Sequence, residues 1–236
     1  MLSYDMPLAT TKHGTLHYDV IDQGAPWREQ RKAILFHHGI GACAEIWAGW
    51  RPALADAAGL KQFHLVGESI GGTVALAAAL ARPERIATLT VSNGAHLGAS
   101  IQRVEAWRRQ LDTGGVKAWS DAFLPDRFHD DALSPERLAW FANQQEAWPR
   151  ESILNALGVL IGTDLSGRLQ EIRCPTLLLH PDGSPFIPVP VMAELHRLLP
   201  NSELNVIGHA RHGLPYSHAK RCASLLRTFL DSRTAG

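Results

Sequence analysis

The chain has 236 residues, with 23 lysines and arginines against 23 aspartates and glutamates, and 45% apolar content. That length suffices for one α/β domain with a sizeable core, and a formal net charge of zero argues against a nucleic-acid partner. Cys43, Cys174 and Cys222 are odd in number and widely spaced, which argues against a disulfide framework and for a reducing, cytoplasmic setting. With no charged-then-apolar leader and no apolar run of bilayer length, no membrane partner is expected.

Residues 33–36 form an apolar run that reads as a buried strand and ends in His37-His38-Gly39-Ile40-Gly41, whose glycines let the backbone approach a ligand. A second short strand is predicted at 63–66. Gly67-Glu68-Ser69-Ile70-Gly71-Gly72 follows it directly, and then an alanine-rich helix over 74–81, closed by Arg82-Pro83. A serine between glycines on a strand-to-helix turn is a nucleophile elbow. The turn strains the serine backbone, Gly67 and Gly71 lack the Cβ atoms that would collide there, and the oxygen is left at a helix N-terminus. Beyond a strand around 88–91, residues 97–167 change texture, with helical patterns near 101–111, 116–123, 135–148 and 152–161. They predict a helical cap whose aromatic residues are partly its own core and partly a substrate wall. Strands at 174–180 and 204–207 come next, the latter running into Gly208-His209-Ala210-Arg211-His212-Gly213 and a C-terminal helix near 218–230.

A serine hydroxyl attacks a carbonyl only when a base takes its proton. His212, where the loop turns into the C-terminal helix, is the predicted base for Ser69, while His209 lies too close to the strand. Two preorganised amides must hold the oxyanion, and Ile70, which follows the serine, and Ile40, in the glycine loop, are their predicted sources. Gly39, Trp47, Trp119, Phe123 and Trp140 are the candidate substrate contacts. His37, His38, His209 and His212 have no carboxylate beside them at metal-site spacing, so neither a metal nor another cofactor is expected.

On its H-G-x-G loop, its G-E-S-I-G-G elbow, the order of serine before histidine, and the strand Cys174-Pro175-Thr176-Leu177-Leu178-Leu179-His180, the chain resembles the α/β-hydrolases over nearly its whole length. The layout from 92–96 through the insert to 172–175 is most similar to the 3-oxoadipate enol-lactonase branch. The resemblance implies a mostly parallel sheet with flanking helices, a core from 1–96 and 168–236, and a helical cap at 97–167. It further implies a cofactor-free serine hydrolase that cleaves a small carboxylic ester or lactone through an acyl-enzyme. The alternatives are carbon–carbon bond hydrolysis of ring-cleavage products, perhydrolase activity, and a non-catalytic ligand-binding pseudo-hydrolase.

Two departures from the family pattern stand out. The family acid lies in a G-x-x-D-x-x-x-P pattern, and the matching stretch, 180–188, has Ser184 in the aspartate's place. Asp182, two residues earlier, is the predicted acid, with a neutral orienter at Asn93 or Ser184, or another carboxylate, as the alternatives. Between Gly41 and Leu60 there is also room for only about one helix, where the family carries a helix, a strand and a second helix. A sheet one strand short of the family's eight is therefore predicted, with lowered stability or dimerisation through the edge so exposed.

Overall fold

Strands filled by near-continuous apolar runs belong in a parallel sheet, because helices cover both of its faces. In the computed structural model, which describes residues 8–11, 14–17, 33–43, 46–47 and 62–234, such strands make the central layer. Strands β1 (Leu8–Thr11) and β2 (Gly14–His17) form an antiparallel pair of their own. Five strands then lie parallel in chain order: β3 (Ala33–His37), β4 (Phe63–Glu68), β5 (Ile86–Ser92), β6 (Thr176–Pro181) and β7 (Ser202–Ile207). All of β6 is buried, whereas β7 at the sheet's end is mostly half-buried or exposed.

The central strands β4, β5 and β6 are buried on both faces, and the period of two sorts them. Leu65, Leu89 and Leu178 point to the side covered by α1 (Ile70–Ala81), and Val66, Leu177 and Leu179 point to the side where Leu226 and Phe229 of the C-terminal helix pack. Between β5 and β6 come α2 (Val104–Arg127), α3 (Pro135–Glu146) and α4 (Arg150–Ile161). The two helices predicted at 101–111 and 116–123 are joined as α2, and the break between them survives as a kink at Gly115, where φ is 71°. Only glycine takes that conformation without strain. Helix α5 (Val189–Leu198) leads into β7, and α6 (Ala219–Thr234) ends the described chain.

Seven strands are described, and among the described residues no hydrogen bonding joins the β1–β2 pair to the five-stranded sheet. The single helix expected before the elbow falls on 48–61, outside the described residues. Among the described residues no helix is long and apolar enough to cross a membrane.

Candidate active site

Strand β4 delivers Ser69 to a turn that only small neighbours permit. A Cβ on Gly67 would lie 2.1 Å from the Gly71 carbonyl oxygen, and one on Gly71 would lie 2.4 Å from that of His37. Ser69 itself sits at φ 54° and ψ −121°, a strained conformation for a residue with a side chain, of the kind that gathers at functional sites. Its carbonyl accepts the amides of Gly72 at 2.9 Å and Thr73 at 3.2 Å, so the serine is the cap of α1. The glycine loop after β3 lies against it: a Cβ on Gly39 would come within 2.8 Å of the Ser69 Cβ. Ile40 and Ile70, the predicted oxyanion donors, follow Gly39 and Ser69 on the two sides of that contact.

His212 comes to the same point from the loop after β7. Its Nε2 is 3.0 Å from Ser69 Oγ, and the ring is buried, with Phe186 edge-on at a centroid distance of 4.8 Å. Burial, with help from the positive Arg127 and from His180, holds its pKa well below the ordinary histidine value, so the imidazole is neutral at pH 7 and has a lone pair to offer. His209 is elsewhere: its ring is exposed, stacked on His129 at 4.4 Å, and hydrogen-bonded to Asp131 at 3.1 Å.

The predicted acid requires correction. Asp182 does not meet His212; its carboxylate accepts the backbone amides of His209 at 3.0 Å and Ala210 at 3.1 Å. Burial pushes its carboxyl up, yet those two amides outweigh the effect and hold it below the usual range. The residue shapes the turn that carries His212 and leaves the ring alone, because a carboxylate beside two free amides is satisfied locally. The Nδ1 atom instead faces Asn93 Nδ2 at 2.6 Å and Ser184 Oγ at 3.1 Å. Asn93 Nδ2 also donates to the His212 carbonyl at 2.9 Å, while its buried Oδ1 has no partner. These two neighbours favour opposite tautomers. An Asn93 N–H donating to Nδ1 leaves the proton on Nε2, where it blocks base catalysis; Nδ1–H donating to Ser184 Oγ, or to Asn93 Oδ1 after rotation of the amide, frees Nε2 for the serine proton.

A carboxylate that the sequence analysis passed over stands on the other side of the ring. Glu68, the residue before the nucleophile, is buried, and its Oε1 is 4.0 Å from His212 Nε2. Burial raises its pKa to about 7, against the opposing pull of Arg127 and of the Gly39 amide, which donates to it. Arg127, at the end of α2, is itself buried, and its Nη2 donates to the Ile40 carbonyl at 3.0 Å. Burial lowers its pKa to about 10, which leaves it charged at neutral pH. The glycine loop is therefore gripped by a negative side chain on the Gly39 amide and a positive one on the Ile40 carbonyl.

Ser69 and His212 open into a cleft of about 380 Å³, counting space open to solvent, walled by Ile101, Val104, Trp107, Leu157, Leu160, Phe186 and Ile187, with Gln102 at its side. Among the described residues no Arg, Lys, Asp or Glu lines it. None of the five predicted substrate contacts is in its wall. Trp119 and Phe123 are fully buried beside Trp107, Trp47 packs on Phe36, and Trp140 packs on Tyr216. Large aromatics between helices were taken by the helices' own core; Gly39 adjoins Ser69 and does not line the cleft. Among the described residues no group of three or more His, Cys, Asp or Glu is placed to hold a metal.

The sequence matches the family model described as the alpha/beta hydrolase fold over residues 56–219. It is 27% identical over 204 residues to a 2-hydroxy-6-oxononadienedioate/2-hydroxy-6-oxononatrienedioate hydrolase of Burkholderia vietnamiensis, spanning 80% of this chain and 69% of that one. It is 29% identical over 202 residues to a 2-hydroxymuconate semialdehyde hydrolase of Pseudomonas putida, with the same two shares. The structure overlays on an enol-lactonase from Burkholderia xenovorans with a TM-score of 0.84 and 19% identity, covering 95% of this chain and all of that one.

Proposed function

Since the chain belongs to the α/β-hydrolase family, we propose that it is a cofactor-free serine hydrolase that cleaves a small, uncharged carboxylic ester or lactone through an acyl-enzyme. The carrying observation is the 3.0 Å contact between His212 Nε2 and Ser69 Oγ at a strained elbow. Ser69 attacks the carbonyl carbon as His212 takes its proton, the Ile40 and Ile70 amides receive the oxyanion, and His212 returns the proton to the leaving group. Water then repeats the sequence on the acyl-enzyme. Asn93 and Ser184 hold the ring, and its working tautomer is the one with hydrogen on Nδ1.

Substrate charge follows from the wall. A carboxylate in an apolar cleft loses its hydration and gains no charged partner from the described lining residues, and the buried cation Arg127 is already bonded to the Ile40 carbonyl. This favours neutral acyl groups over 3-oxoadipate enol-lactone. Carbon–carbon bond hydrolysis is the second reading, favoured by the names of the two relatives above; their dienedioate and muconate substrates would bring carboxylates into that same cleft. The three cysteines form no disulfide with one another, in keeping with a reducing cytoplasm. A fluorophosphonate tests the core of this reading. It should label Ser69, and the label should be lost in Ser69→Ala and His212→Ala but kept in His209→Ala. Undiminished labelling in His212→Ala would remove the base assignment.

A further inference from the structure

A neutral histidine that takes a proton becomes a cation, and Arg127 already acts on it with the same sign. In a serine–histidine–aspartate triad the aspartate on Nδ1 stabilises that cation. Here Nδ1 meets only an amide and a hydroxyl, so a developing charge in a buried site has no compensation from that side. Among the described residues Glu68 is the carboxylate in the site, 4.0 Å from the nitrogen that receives the proton.

We propose that Glu68 offsets the imidazolium formed on His212, acting through space on the Nε2 side in place of a carboxylate on Nδ1. The inference rests on the serine-hydrolase reading above. In the step concerned, the Ser69 Oγ–H bond breaks and its proton goes to Nε2. The Oγ–C bond forms, and the carbonyl π pair moves to oxygen. The new positive charge lies beside Glu68, and the new negative charge lies at the glycine loop that Arg127 holds by the Ile40 carbonyl. Glu68 touches no reacting atom, so it is a positioning residue in the electrostatic sense. Its reach is set by the Gly39 amide, which keeps the carboxylate turned toward the site.

The groups that face Glu68 are Arg127 from α2, the Gly39 amide from the loop after β3, and His212 from the loop after β7. Arg127 stays charged through neutrality and His212 is already neutral there, so of Glu68, Arg127 and His212 the carboxylate is the one that titrates near pH 7. Acylation should therefore speed up as pH rises through about 7.

The test measures kcat for a short p-nitrophenyl ester and the fluorophosphonate labelling rate against pH, in wild type, Glu68→Gln, Ser184→Asp and the double variant. Glu68→Gln should lower kcat by on the order of 10²-fold with KM little changed, and should erase the limb near neutrality. Ser184→Asp supplies a carboxylate to Nδ1, so in that background Glu68→Gln should cost less than about tenfold. Equal losses in both backgrounds would make Glu68 a mere brace of the loop and overturn the proposal. If Glu68→Gln fails to fold, the wild type decides. The infrared signal of the protonated buried carboxyl must disappear over the same pH range in which labelling accelerates, and a mismatch overturns the inference. A wild type that resists the fluorophosphonate at every pH would instead refute the serine-hydrolase reading on which all of this stands.

Discussion

Replacing Glu68 by glutamine should change how stability depends on pH, in a way that can be worked out in advance. The folded protein binds the Glu68 proton up to about pH 7, whereas the unfolded chain releases it near 4.5. Its folded pKa is raised, so the carboxyl's contribution is complete below about pH 4.5, is lost progressively as pH rises, and stays lost above about 7. The gap of some 2.5 units, at about 1.36 kcal/mol per unit, amounts to ~3 kcal/mol. Glutamine has the same shape and no proton to lose. The stability of wild type minus that of Glu68→Gln should thus fall by ~3 kcal/mol between acid and neutral pH, or roughly 6–12 °C in Tm for a chain of this size. Other buried groups titrate over the range, His180 among them with a pKa lowered to about 4 by burial, but they are common to both proteins and cancel. Urea unfolding of the pair at four or five pH values between 4.5 and 8.5 measures the difference. Parallel curves would mean that the carboxyl is ionised throughout, and the burial argument for Glu68 would be wrong.

Asp182→Ala removes the acceptor of two amides in the turn before His212, so calorimetry should show a loss of about 1–3 kcal/mol while kcat stays within about tenfold; a fall on the order of 10⁴ would restore Asp182 to the triad. Ser184→Asp, at 3.1 Å from Nδ1, should raise kcat by about tenfold or more and lift the His212 pKa, read from the ring protons by NMR. Between a neutral butyryl ester and the corresponding succinyl half-ester, the anionic one should show a KM at least about tenfold higher; a preference for the anion would favour the dienedioate-type reading.

Much of the fold was legible because its signals are local. The elbow is written in six consecutive residues, and its glycines are required by contacts that any serine on that turn would meet, as the 2.1 Å and 2.4 Å approaches show. Helices 101–111 and 116–123 are predicted as separate, and the structure keeps the break as a kink at Gly115 within one helix. The cap aromatics were ambiguous because hydrophobicity does not say which way a side chain faces. Trp119 and Phe123 went inward, and Trp107 with Phe186 made the wall.

The partners of His212 were harder to read because three separate chain segments meet there. Asn93 closes β5 in a left-handed conformation at φ 55°, and Ser184 follows β6; neither carries a charge that marks it as functional. Asp182 drew attention as the nearest carboxylate, yet a short acidic side chain next to a tight turn usually satisfies backbone amides first, and it does so here. Glu68 was missed for the opposite reason, as the middle letter of a motif defined by its neighbours. The signal was present in the strand: every other residue of β4 from His64 onward is buried, and a carboxylate at the end of such a run is almost never fully buried unless paired. A second buried charge was therefore implied, and Arg127 at the end of α2 supplies it. The same reasoning explains why the glycine loop is held by two charges: each is costly to bury alone, and the loop's amide and carbonyl are the polar atoms within reach that make the pair tolerable.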